Sequence, residues 1–162
     1  NASPAADGVP PLLAMAAEVE LAAQDGQRRL PLDDFILGNR KTARRPRALV
    51  TALYLPKPSP IKSFEGARST FLKLGARKYL VISIAMVATL IDLDGEGCIA
   101  SAGVAVGSCA ARAHRLPAVE AALTGQPFDD NILARITAAY RREAAVVLIR
   151  RSLETLLAEE GS

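Results

Sequence analysis

Lys73 is the only charged group in Phe71-Leu72-Lys73-Leu74-Gly75, just ahead of an apolar run. A cation there is either a solvated strand end or a charge held near a ligand, and the residue alone leaves both readings open. The opening Asn1-Ala2-Ser3-Pro4-Ala5-Ala6-Asp7 sets small polar groups before Val9-Pro10-Pro11. Ser3 and Asp7 are turn and N-cap types, and Pro4 fixes its own φ. They either cap the helix that follows or, with the free N–H groups of its start, let a flat polar cofactor approach the backbone. His114, the lone histidine, lies between Ala113 and Arg115 in a loop or helix entry without a Cys or carboxylate partner, which fits an exposed or capping group. Cys98 and Cys109 stand eleven apart with no Cys-x-x-Cys pair and no histidine cluster, so this chain offers no metal or iron–sulfur site and they read as reduced structural thiols. No Ser/His/Asp constellation, P-loop or dinucleotide-type glycine fingerprint can be assembled. Any catalysis must therefore draw on a bound cofactor.

The elements that would position these groups are mostly strands. Tyr79 to Ile91 is apolar and rich in β-branched residues (Val81, Ile82, Ile84, Val87, Thr89), Asp94-Gly95 is a turn signal, and Cys98 to Gly107 resumes; the pattern predicts a central β-hairpin. Small residues along its second arm imply close packing against something flat. Lys73 falls just before this sheet begins. Upstream, Val9 to Ala16 predicts a short helix opened by proline, and Glu18 to Ala22 with Gln27 to Leu32 a second hairpin around Asp25-Gly26. Ala48 to Leu55 predicts a strand ended by Pro56, and Pro56-Lys57-Pro58-Ser59-Pro60 is a linker, since prolines cannot join a ladder. A short helix is expected from Arg115-Leu116-Pro117 to Thr124, stopped by Gly125. A last helix runs from Asp129-Asp130 to about Glu160, its stripe from Ile132 to Leu157 reading as core.

Composition narrows the classes. Half the residues are hydrophobic but only 4% are aromatic, so the core is built from Ala, Val, Leu and Ile. A chain of 162 residues can bury such a core without staples. The net charge of +3 is too even for a protein whose main task is neutralising a phosphate backbone. Five of the eight residues from Arg40 to Arg47 are cationic, a solvated loop or a partner-facing one; without interleaved aromatics it makes a poor nucleic-acid patch. The apolar run of 13 residues is short of the roughly 20 that span a bilayer, and no secretory signal is visible. A cytoplasmic protein is expected.

Phe71-Leu72-Lys73-Leu74-Gly75-Ala76-Arg77-Lys78-Tyr79-Leu80-Val81-Ile82-Ser83-Ile84, followed by Ala105-Val106-Gly107-Ser108-Cys109, resembles the flavin-carrying (medium) subunit of the molybdenum hydroxylases, the carbon monoxide dehydrogenase and xanthine dehydrogenase group. Asn1 to Asp7, Gly38-Asn39-Arg40-Lys41-Thr42 and Ala138-Ala139-Tyr140-Arg141-Arg142 fit in order, so the resemblance covers nearly the whole chain. It implies an α+β fold: residues 1–56 as the antiparallel end of an FAD-binding (PCMH-type) domain, 57–65 as a Pro-rich linker, and 66–162 as a small domain with a three-stranded antiparallel sheet packed on helices. The chain begins at Asn1 without Met, inside a motif, and reads as a fragment.

The same resemblance implies a function and a site. FAD would relay electrons from the iron–sulfur clusters to an external acceptor, with no catalytic side chain in this chain. Asn1, Ser3, Pro4 and Asp7 would line the flavin pocket, Val50 would pack near the cofactor, and Lys73 would be a polar contact. The partners would be an iron–sulfur small subunit with [2Fe-2S] clusters and a large subunit with molybdopterin. Glycine-rich loops that hold the FAD pyrophosphate in this family are not in this stretch, so the flavin site here is incomplete and the chain alone is expected to be inactive. Some positions depart from the family. Arg47 follows Pro46 where relatives commonly carry an acid, and Tyr79-Leu80-Val81 stands where xanthine dehydrogenase types have an acidic loop, which speaks against an NAD acceptor. Pro127 to Tyr140 is also shorter than in relatives. The rival readings are a non-catalytic subunit-docking module and a basic nucleic-acid binder.

Overall fold

The computed structural model describes residues 2–56, 67–77, 81–129 and 131–132. The proline linker, the last helix and the Ala138–Arg142 motif lie outside these residues. The chain opens with helix α1 (Val9–Ala14), whose prolines sit in the first turn, where their missing N–H costs nothing. Strands β1 (Glu18–Ala23) and β2 (Gly26–Pro31) form the expected hairpin, and Gly26 supplies the left-handed φ of +121° at its turn. Next come a helical turn α2 (Leu32–Phe35) and a short pair, β3 (Ile36–Gly38) and β4 (Lys41–Thr42), too brief to leave a period-two signature in sequence. Strand β5 (Leu49–Tyr54) then pairs with the free side of β1, giving the order β2-β1-β5.

The second sheet runs β6 (Ala67–Gly75), β7 (Ser83–Leu93), β8 (Ile99–Gly107) and β9 (His114–Arg115), all antiparallel. Two placements correct the sequence expectation. Lys73 lies inside the edge strand β6 rather than ahead of the sheet; β6 is half-exposed along its length, so it lacks the apolar density that marks β7. His114 lies on β9, paired with Val106, its Nδ1 3.3 Å from the Arg112 carbonyl oxygen, not in a loop or helix entry. The β7–β8 hairpin closes where predicted, the Asp94 carboxylate accepting the N–H groups of Glu96 and Cys98.

Why β7 reads as an unbroken apolar run is clear from its two faces. Ala85, Val87 and Ile91 join Val104 and Val106 against helix α3 (Pro117–Leu123), Phe128 and Ile132. Ala88 and Ala105 face the other way, onto α1, Val19 and Leu21 of β1, and Leu32. A strand buried on both sides loses the polar alternation of a one-sided sheet. Each fully buried Val or Ile here contributes about 1.5–3 kcal/mol.

The small residues of β8 pack not on a flat surface but under a helix. A Cβ on Gly103 would come 2.2 Å from the Ala14 carbonyl oxygen, so α1 rests directly on the strand backbone. On the opposite face α3 is tied down by the Leu116 N–H to Val104 oxygen bond of 2.8 Å. Glu120 adds to this, accepting from the Val104 N–H at 2.9 Å and from Arg115 Nε at 2.8 Å. Gly125, at φ +78°, follows α3 as expected. Among the described residues no helix is long and apolar enough to cross a membrane.

Candidate functional site

The rim of interest is built where α1 begins. Helix α1 takes Gly8 as its N-cap with no side-chain cap bond, so Asp7 is not spent on the helix. Its carboxylate instead turns to the second sheet, where Lys73 Nζ donates to Oδ2 at 2.7 Å and Ser83 Oγ to Oδ1 at 2.7 Å. Strand geometry delivers both donors to one face. In β6 the odd positions look toward α1, since Phe71 pairs with Ala88 and Lys73 with Met86, both on that side. An odd residue of β7 such as Ser83 should face α3. A register shift between Leu74 and Gly75 sets Ser83 opposite Gly75, leaving Ile84 as the extra residue, and this bulge turns the hydroxyl to the Lys73 side.

The opening segment is also stitched to two further distant stretches through its backbone. The Arg40 N–H donates to the Ala2 oxygen at 2.8 Å and the Ser108 N–H to the Pro4 oxygen at 2.9 Å, while Ser3 Oγ accepts from the Ala5 N–H at 3.3 Å. The described parts of the segments that carried the resemblance (2–7, 38–42, 71–77, 81–84 and 105–109) therefore meet at one place. Of the site residues expected from sequence, Ser3, Pro4, Asp7 and Lys73 come together. Asn1 lies outside the described residues. Val50 stands apart, half-exposed on β5 opposite Leu21 of β1.

Lys73 as an electrostatic donor keeps its charge close to a counter-charge. The ammonium and the Asp7 carboxylate are each partly exposed, at 32% and 47% of their side chains, on an open rim. The bond from Lys73, then that from Ser83, holds the Asp7 carboxyl below the ordinary carboxylate range. A carboxylate with lone pairs to spare, an ammonium with N–H groups to spare and a hydroxyl make an alternating donor and acceptor edge suited to a flat polar ring. Beside it the Ser108 hydroxyl is buried without a hydrogen-bond partner among the described residues, in a residue held at φ +64°. Such a group is uncommon in a native fold and fits a site whose polar complement is a ligand. A cavity of about 380 Å³ lined by Leu13, Ala17, Pro31, Leu32, Pro56 and Arg115 shares no residue with this rim.

Ser83 and Ser108 were missed as site residues. Ser83 had a signal in sequence, a hydroxyl at the start of an apolar strand, but its direction depends on a bulge that no periodicity reveals. Ser108 had only its place in the Ala105–Cys109 stretch that carries the resemblance.

Comparison with known proteins matches two stretches of the chain. Residues 1–58 match the family described as the FAD binding domain in molybdopterin dehydrogenase, and residues 70–146 the CO dehydrogenase flavoprotein C-terminal domain. Xanthine dehydrogenase of Oryza sativa subsp. japonica is 27% identical over 137 residues, which is 82% of this chain and 10% of that protein. The structure of CO dehydrogenase from Oligotropha carboxidovorans superposes with a TM-score of 0.82 at 25% identity, over 98% of this chain and 58% of the matched one. Quinoline 2-oxidoreductase from Pseudomonas putida 86, at 20% identity and a TM-score of 0.73 over 96% and 58%, shares the fold. The chain thus spans a little over half the length of the solved chains it matches and a tenth of the rice protein. Two adjoining domain matches in this order, over the same fold, show that the chain belongs to the flavin-carrying (medium) subunit family of the molybdenum hydroxylases.

Proposed function

We propose that this chain carries one side of the FAD site of a molybdenum hydroxylase and helps relay electrons from iron–sulfur clusters to an external acceptor. The observation that supports this best is the meeting of Asp7, Lys73 and Ser83 on the rim formed by the opening segment. FAD, when bound, supplies the electron-carrying ring; this chain supplies position and electrostatics. The imide edge of that ring alternates acceptor, donor and acceptor, which the Lys73 ammonium and the Asp7 carboxylate can answer in kind. Ser3 and Pro4 offer backbone against which a flat ring can lie, and Asn1 and Val50 are assigned to the same pocket from the family resemblance. Residues 1–56 are taken as the flavin-binding part, 57–65 as the linker and 66–162 as the second domain.

By this reading the protein is cytoplasmic, in keeping with the free thiols Cys98 and Cys109, and works with an iron–sulfur subunit and a molybdenum subunit. The 162 residues alone do not hold FAD tightly, because no pyrophosphate loop is among them. The test is an absorbance scan of the full-length subunit with metal analysis of what co-purifies. Flavin bands with co-purifying iron and molybdenum are expected. A colourless subunit that still brings down both metals would leave only the docking-module reading, and one without flavin or metals removes both.

A further inference from the structure

The charged side chains of the loop from Arg40 to Arg47 are used neither by the two cores nor by the Asp7–Lys73 rim, yet the loop is braced. Arg40, Lys41, Arg44, Arg45 and Arg47 are all exposed. Two guanidinium groups act as braces: Arg44 Nη1 donates to the Ala48 oxygen at 2.9 Å, and Arg28 Nη2, from β2, to the Ala43 oxygen at 2.8 Å. Bonds to carbonyls shape the loop but leave the charge uncompensated. Among the described residues Arg45 alone of the five meets a carboxylate, Asp25, at 3.7 Å in the open. Among the described residues Arg40, Lys41 and Arg47 have no ion-pair partner.

The backbone adds a second observation. Arg40 and Arg47 stand at φ +56° and +64°, a left-handed region where Gly or Asn is less strained. Pro46-Arg47 forms the centre of a turn closed by the Ala48 N–H to Arg45 oxygen bond, with Arg47 at the position a type II turn reserves for Gly. Arginine kept at strained positions in a braced, unpaired loop points to a use for its charge.

We propose that this loop is a docking surface for a carboxylate-rich face of a folded protein, which under the proposed function is the iron–sulfur partner. A nucleic acid fits less well. The large apolar groups exposed nearest the cations along the chain are Leu37 and Leu49 rather than aromatic rings, and Asp25 interrupts the patch at Arg45. The surface also lies next to the redox rim, because the Arg40 N–H holds the Ala2 carbonyl of the segment that carries Asp7. A protein seated there would be placed beside the flavin. Only the identity of the partner rests on the proposed function; the sign of its charge does not.

The test uses the full-length flavoprotein subunit, with the iron–sulfur subunit of its enzyme as the probe. The triple variant Arg40→Asn, Lys41→Gln, Arg47→Gly removes three charges and puts tolerant residues at both positive-φ positions. Wild-type affinity should fall about tenfold or more between about 50 and about 300 mM NaCl. The variant should bind about tenfold more weakly at the low salt and with a flatter salt dependence. Lys41→Glu alone, on the ordinary backbone of β4, should weaken binding several-fold and covers a folding failure of the triple variant. Wild-type binding by either folded variant overturns the proposal, as does tighter binding of the wild type to a short DNA duplex than to the protein. Loss of binding with flavin absorbance intact supports docking; absence of flavin in wild type removes the proposed function while the affinities still decide the loop.

Discussion

Asp7 and Lys73 are a pair whose two charges pull in opposite directions on anything bound beside them. Removing the ammonium in Lys73→Met leaves Asp7 uncompensated, and Asp7→Asn leaves the ammonium uncompensated. In the flavin-loaded full-length subunit the first should lower the flavin potential and the second raise it, each by on the order of tens of millivolts for a partly solvated charge. The double variant should return close to wild type. Equal shifts of one sign from both single variants would show that structure, not charge, is being measured. The same pair predicts a pH dependence of stability. Lys73, then Ser83, depresses the Asp7 carboxyl, so its contribution is fully present above the unfolded carboxylate value of 3.8 and fades as pH falls through the lower folded value. Because both partners are partly exposed, the contribution is no more than about 1 kcal/mol and weakens with salt. Thermal melts of wild type and Asp7→Asn should differ at pH 7 and draw together as the pH falls below 3.8; a gap that stays the same would refute the assignment.

The contact between α1 and β8 is where an element, rather than a residue, fixes the site, since α1 carries Asp7 at its start. Gly103→Ala would drive a methyl into the Ala14 carbonyl, a backbone atom at 2.2 Å that cannot step aside. Gly107→Ala meets the end of the flexible Met86 side chain at 2.4 Å, which can swing away. Denaturant unfolding of the full-length subunit should show the first costing about 2–3 kcal/mol and the second under about 1.5 kcal/mol. Equal costs would mean that α1 does not rest on the strand backbone. This level also shows how far sequence reading reaches. The hairpins β1–β2 and β7–β8 were legible because Asp-Gly turns and β-branched runs are local signals. Edge strand β6 was not, since half-exposed residues such as Lys73 and Leu74 blur the alternation. Nor was the bulge at Ile84, because it is the pairing with Gly75 that creates it.

Across the whole molecule, apolar side chains left in the open say as much as those buried. Leu49, Val50, Leu53 and Leu55 on and after β5 are 68%, 48%, 51% and 54% exposed, on a strand whose outer edge carries no partner among the described residues. Ile82 and Ile84, flanking Ser83, are 80% and 57% exposed. Short motifs made the components of the rim readable, but nothing in their spacing says that residue 7 meets residue 73, since that contact is made by the packing of α1 on β8 between two cores. The same limit hid the bare faces, because β5 reads as an ordinary strand until its neighbours are known. An exposed apolar edge recruits whatever strand or apolar face it meets. The 162-residue chain alone should therefore self-associate, and Leu53→Lys, which puts a charge on that edge, should shift sedimentation several-fold toward monomer. In the full-length subunit, amide exchange along β5 should be about tenfold slower or more than in the short chain, because a covered strand opens less often. A short chain that is monomeric with β5 already protected would show that this edge needs no neighbour, and Val50 would then lose its place as a contact reached from the flavin side.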